Sequence, residues 1–384
     1  MFCSGLDEGD CELKTVIIHD TTLREGDQTP NIVMRKETKL KIATILEEMG
    51  VDEIEVGFPK ANPMDREVLR ELSRQEWRAK LIGFARAVKD DIDAVIDAGC
   101  QSILLFAPSS RYHIKAYMSG KTIKDIASTI SSAIDYAKSR GAFVEIALTD
   151  APRAIPEELL YLIRKAVESK ADRIILADTV GVSHPIAIGK LVSLVKNNIP
   201  CSVGLHLHND LGLALANAYV GILEGADEIQ VTVGGIGERC GNTALEELAA
   251  IQLVSKLWTS NLKLNLVGPK VQEILEELSI KPCLNKPIIG ENAFTHTTDI
   301  HIYSTLSEPD SFEPFDPGAL GLKRKFLITH LTGRRAIMML LKHKLLDVTP
   351  QRVEKTYYLI REKILDERRP LSVDELIEIY NAVT

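Results

Sequence analysis

Short apolar runs rich in β-branched residues recur along the chain at 15–20 (TVIIHD), 53–58 (EIEVGF), 80–85 (KLIGFA), 102–107 (SILLFA), 143–148 (FVEIAL), 173–178 (RIILAD), 202–207 (SVGLHL) and 228–233 (EIQVTV). Runs of this kind read as strands. Between most of them lie amphipathic stretches such as RKETKLKIATILEEMG, VKDDIDAVIDAGC and PEELLYLIRKAVESK, with apolar residues at helical spacing and Gly near their ends. Eightfold strand–helix alternation predicts an α/β fold, a (β/α)8 TIM barrel. A doubly wound open sheet is the alternative, but it would normally carry a phosphate loop after its first strand, and none is present. Farther on, helical patterning over 334–345, 350–364 and 372–382 predicts a mainly helical C-terminal extension. The expected division is a flexible N-terminus (1–14), a catalytic barrel (15–265), and a linker with helical subdomain (266–384).

Composition narrows the class. With 384 residues, 45% hydrophobic and 26% charged, the chain has ample core and an ordinary globular balance. No run approaches the roughly 20 apolar residues that cross a bilayer. The opening MFCSGLDEGDCELK lacks the basic-then-apolar order of a signal peptide, so a cytoplasmic protein that does not engage membranes is expected. The six cysteines show no CxxC spacing, which fits reduced thiols. A net charge of −8 without a long basic block argues against nucleic acid as a partner.

Candidate chemistry sits at two strand ends. In CSVGLHLHNDLG, His206 and His208 stand two apart, so a strand projects both imidazoles to one side, half of a metal site. The plainer alternative is a polar pair at a strand end. Asn209 and Asp210 follow at once, and then an Ala-rich helical stretch, which is how an α/β enzyme presents a site at its carboxyl edge. After the first strand, TTLREGDQTP places Asp20, Arg24, Glu25, Asp27 and Gln28 just past the carboxyl end. Alone, R-E-G-D reads as a solvated turn. In a closed barrel, however, strands one, seven and eight lie side by side, and a carboxylate here completes a His, His, carboxylate set around a divalent cation.

DTTLREGDQ resembles the opening signature of the DRE-TIM metallolyase superfamily. HLHNDLGLALANAYVGILEGADEIQVTVGGIGERCGNTALEEL resembles the second signature of its acyl-transferring branch, the 2-isopropylmalate, citramalate and homocitrate synthases. The similarity continues through GFARAVKDDIDAVIDAG, LADTVGV, KPIIGENAFTHTTDIHI and SFEPFDP. The resemblance implies metal ligands Glu25, His206, His208 and Asn242, with Mg, Mn or Zn as the cation. It implies catalytic roles for Arg24, Glu55 and His301, the last reaching the site from a neighbouring subunit of a homodimer, and it places Gln28 and Thr179 against substrate. The implied reaction is a Claisen condensation of acetyl-CoA with a 2-oxo acid, followed by thioester hydrolysis.

Within the branch, Glu25 and a short tail tilt the expectation toward a homocitrate synthase-like enzyme acting on 2-oxoglutarate, with Arg111 or Lys115 facing the distal carboxylate. A solvated loop with ordinary basic residues is the alternative for that stretch. Isopropylmalate or citramalate synthase, a metal-dependent lyase or aldolase, and a non-catalytic relative are the alternatives for function. The departures are Thr149 and Thr297 where relatives carry glutamates, Asp299 in place of a glycine, and FLITHLTGRR in place of a G-K-H-S-G run. His19 is expected inside the barrel base without chemistry, Cys240 as a small buried thiol, and His184 and His343 at the surface.

Overall fold

The computed structural model describes residues 13–344 and 347–383. Most of the expected flexible N-terminus, residues 1–12, therefore lies outside the described residues. Lys14 is anchored: its ammonium donates to the Gly225 and Ala226 carbonyls and pairs with Asp227 at 2.8 Å.

Eight parallel strands close into a barrel in sequence order: β1 (Ile17–Asp20), β2 (Glu53–Gly57), β3 (Lys80–Arg86), β4 (Ser102–Pro108), β5 (Phe143–Thr149), β6 (Arg173–Asp178), β7 (Val203–Leu207) and β8 (Glu228–Val231). β1 pairs with β8 from Ile17↔Glu228 to Asp20↔Val231, which closes the ring. The predicted barrel is thus the fold, and the expected runs coincide with the strands to within one or two residues. Outward residues such as Ile18, Ile54 and Val56 are fully buried beneath the surrounding helices. Inward, Ile82, Leu104, Ala147 and Ile175 pack into an apolar layer beneath Phe84 and Phe106, whose rings stack at 4.8 Å. Barrels fill their interiors with such layers. Here part of the interior is ionic instead.

The contact-defined first unit runs to Lys281, so the helix Leu264–Glu277 belongs to it and packs on the helix Lys36–Met49. The second unit, Pro282–Thr384, is mainly helical, with helices at Arg334–Lys344, Pro350–Glu367 and Val373–Ala382. Its core gathers Ile302, Ile328, Ile337, Leu341, Leu371 and Leu376. It also holds a small sheet the sequence reading did not expect: β9 (Thr295–His296), β10 (Lys325–Ile328) and β11 (Leu371–Ser372), in the order β11-β10-β9. Strands of two to four residues are too short to show alternation. Among the described residues, no helix is long and apolar enough to cross a membrane.

Candidate active site

A cavity of about 460 Å³ opens at the carboxyl ends of the barrel strands. Its polar wall begins at β1, where the chain turns directly into the short helix Thr22–Glu25. That turn is fixed by Asp20, which accepts the Thr22 N–H at 2.8 Å. It carries Arg24 and Glu25 over the barrel mouth. Period-two alternation of β7 brings His206 and His208 to the same mouth, their Nε2 atoms 3.2 Å apart. Glu25 Oε1 lies 3.4 Å from His206 Nε2, and ligand atoms of Glu25, His206 and His208 all fall within 4.8 Å of one another. Asn242 joins them: its backbone pairs with His208, and its amide nitrogen lies 3.4 Å from His206 Nε2.

Glycines make that last approach possible. A Cβ on Gly237 would sit 2.2 Å from Asn242 Oδ1, and one on Gly241, at φ +79°, would meet the Gly235 carbonyl at 1.8 Å. The loop GGIGERCGN is thus a tight turn around Asn242.

The electrostatics suit a cation. Burial opposes ionisation of Glu25, but Arg24 and His206 outweigh it and hold the carboxyl well below its ordinary range. Burial, then the neighbouring His206, pulls His208 down to about 3, so its imidazole is neutral and has a lone pair free for a metal. Glu25 Oε2, His208 Nδ1 and Asn242 Oδ1 are buried without a hydrogen-bond partner. Convergent unsatisfied donor atoms of the carboxylate, imidazole and amide types fit a divalent ion.

Arg24 is fixed by Glu55, which accepts from its Nε and, at 3.1 Å, from Nη2, and by Glu25; its guanidinium lies 4.4 Å over the Phe84 ring. Thr179 also lines the cavity, its Oγ1 accepting the Asp150 N–H at 3.0 Å. Gln28 is exposed at the rim.

Four further residues singled out in the sequence are placed as follows. Arg111 and Lys115 are exposed and line a separate surface hollow. His301 belongs to the second unit, where it stacks on Phe312 at 4.0 Å. Cys240, expected as a buried thiol, is exposed, because the turn that swings Asn242 inward carries Cys240 outward. His184 and His343 are exposed as expected. Of the departures, Thr149 lines the cavity with its hydroxyl 2.9 Å from Nδ1 of buried His113. Asp299 accepts the Ala336 N–H at 3.0 Å in the second unit.

Several site residues escaped the sequence reading. Gln230 holds His206 through a 2.9 Å contact to Nδ1, and its only signal was a polar residue inside an apolar strand. Arg239 lines the cavity while pairing with Asp210 at 2.8 Å. Phe58, Phe84, Leu104 and Phe106 supply the apolar wall and looked like ordinary core.

An α/β barrel with a carboxylate–imidazole cluster at its mouth describes a class of enzymes, and comparison with known proteins narrows it. Residues 15–269 match the HMGL-like family, and residues 288–368 match the homocitrate synthase post-HMGL domain-like family. The chain belongs to the HMGL-like family. It is 38% identical to a homocitrate synthase of Methanocaldococcus jannaschii over 86% of this chain and 82% of that protein. It is likewise 38% identical to a 2-isopropylmalate synthase of the same organism, covering 87% of this chain and 64% of that one. Among solved structures, the HMG-CoA lyase of Bacillus subtilis aligns at TM-score 0.63 and 20% identity over 70% of this chain and 95% of that chain, a likeness of fold.

Proposed function

We propose that this chain is an acyltransferase that condenses acetyl-CoA with a 2-oxo acid to a 2-alkylmalate-type product, of the homocitrate synthase type. The observation that carries the reading is the convergence of Glu25, His206 and His208 beside Arg24 in one cavity. The synthase relatives and the second family match at 288–368 support the choice of reaction.

Glu25, His206 and His208 hold the divalent cation, with Asn242 beside them. When bound, the cation acts as a Lewis acid on the keto group of the 2-oxo acid. Arg24 places a fixed positive charge where negative charge develops on the keto oxygen, and Glu55 keeps the guanidinium from turning away. The Thr179 hydroxyl donates to the substrate carboxylate, and Gln28 adds a polar contact at the rim. Arg239, held by Asp210, adds a polar group to the cavity wall. The apolar wall excludes water from the new carbon–carbon bond. The acetyl methyl group gives up one proton to a base, the role His301 would take, as its carbon bonds to the keto carbon and the keto oxygen gains a proton; water then hydrolyses the thioester, which releases CoA and makes the sequence irreversible.

The test is thiol release from acetyl-CoA across a panel of 2-oxoglutarate, pyruvate and 2-oxoisovalerate, each with Mg, Mn or Zn. Release that depends on one acid and one cation is expected. No release with any combination, or cleavage of a 3-hydroxyacyl-CoA instead, overturns the reading.

A further inference from the structure

The helix Arg111–Tyr117 separates two spaces. On one side, His113 and Tyr117 are four apart with rings 5.0 Å from each other; Tyr117 lines the barrel cavity and His113 bonds the cavity residue Thr149. On the other, Arg111, Ile114 and Lys115 follow the i, i+3, i+4 spacing of one helix face and line a second hollow of about 310 Å³. Lys121 and Glu158 complete its charged lining. Three cations therefore face one carboxylate, on a chain whose net charge is −8.

Glu158 in the lining and Asp125 beside Lys121 offset them only in part. Among the described residues, Arg111, Lys115 and Lys121 make no ion pair. Asp125, the nearest acid in sequence to Lys121, is engaged in the capping box of the helix Ile123–Ser139, accepting the Thr122 N–H at 2.7 Å. That 17-residue helix points its N-terminus at the hollow, which adds positive potential. Gly120, at φ +83°, leaves open space where a side chain would stand. Unpaired cations gathered in a concave, open site match a multiply charged anion, and an Arg fork with two ammonium groups suits phosphate oxygens.

We propose that this hollow receives the phosphate groups of the CoA portion of the acyl donor, with the pantetheine arm crossing the helix Arg111–Tyr117 into the cavity. The assignment rests on the synthase reading above. A helix with its side chains is about 10 Å across, a span an extended pantetheine arm covers. Arg111 is then a donor-binding residue, at a place separate from the 2-oxo acid.

The test compares R111E/K115E and K121E with the unaltered protein, using acetyl-CoA and acetyl-pantetheine as donors. For acetyl-CoA the double variant raises KM about tenfold or more, as expected for loss of charge-assisted phosphate contacts. The KM for the 2-oxo acid and that for acetyl-pantetheine stay put, and K121E moves in the same direction. Calorimetric titration with CoA itself reads the same loss without turnover, and an unchanged thermal melt shows that the fold is intact. Equal KM for acetyl-CoA in variants and parent, or an equal rise for both donors, overturns the inference while leaving the synthase reading standing. A parent protein that binds CoA in calorimetry but releases no thiol with any 2-oxo acid overturns the synthase reading instead.

Discussion

The barrel encloses two ionic clusters, one at its base and one at its mouth, and they differ in what they lack. At the base, Arg173 sits among Glu53, Glu145 and Glu228, with the contact to Glu53 at 2.7 Å, and His19 lies 3.1 Å from Glu228 and 3.2 Å from Glu53. All are buried. Burial, then Glu228 and Glu53, pushes the Glu145 carboxyl well up from its ordinary range. Burial disfavours the His19 imidazolium, but Glu228, Glu53 and Glu145 outweigh it and hold its pKa well above ordinary. Arg173 is already a positive charge among these acids. At the mouth, Arg24 is committed to Glu55 and Glu25, the two imidazole Nε2 atoms face each other, and the cluster faces a cavity. The base carries its own fixed cation, Arg173, among its acids, although His19 Nδ1 and Nε2, Glu145 Oε2 and Arg173 Nε are buried there without a hydrogen-bond partner; the mouth turns its unpartnered atoms toward a cavity that admits a ligand.

The comparison breaks most visibly at Arg173. Replacement by Met leaves Glu53 and Glu228 buried without their cation, and removing one partner of a buried ion pair costs about 3–5 kcal/mol. Urea denaturation of Arg173→Met reads this directly, and added divalent cation restores none of it. A loss under about 1 kcal/mol would mean that the base cluster is solvated. The mouth behaves oppositely. Glu25→Gln and His208→Ala keep the fold but lower turnover by about 100-fold or more, since a lost ligand exceeds the 10–100-fold typical of outer contacts. A cation at a hundred times its Kd stabilises the parent by about 2.7 kcal/mol, and these variants show no such gain in a thermal melt.

Legibility followed the same division. The eight strands were readable because a parallel strand buried on both faces is a nearly unbroken apolar run, and the helices between them carry their own period. Glu25, His206 and His208 were placed together because closure makes β1 and β7 next-neighbours across β8. The base cluster was not readable. Glu53, Arg173 and Glu228 are each the first residue of a strand, where a charge ordinarily marks the solvent edge, and only closure turns those positions inward. His19 was placed inside the base, but its partners were not visible. Arg111 was placed in the right loop, yet which face of a seven-residue helix it occupies depends on packing that spacing alone does not set.

A smaller effect sharpens the mouth. Gln230 touches His206 Nδ1 and also donates to Glu228 at 3.1 Å, so it fixes the ring and links the two clusters. Gln230→Leu keeps the apolar volume and frees the imidazole to rotate. Metal affinity falls about 10–100-fold, measured by calorimetry, with little change in urea stability. A variant that loses stability and keeps its metal would assign Gln230 to the base.

The smallest effect is a slope. His19 faces Glu53, Glu145 and Glu228, with Glu55 at 3.8 Å and Arg173 and Asp20 nearby. Its folded-state pKa lies above the ordinary 6.5, so the folded chain binds this proton more tightly than the unfolded one. Its stabilising contribution is therefore complete below pH 6.5 and is lost as pH rises toward the folded value. Glu145, also raised, has the same sign from its ordinary 4.5 upward. The His19 contribution to stability should fall as pH rises above 6.5, and one group contributes up to about 1.4 kcal/mol for each pH unit. His19→Gln removes its share, so the variant is less stable at pH 6 and flatter above pH 7 in paired urea titrations. Equal slopes in parent and variant would mean that His19 is neutral in the fold, and that Arg173 alone balances the base.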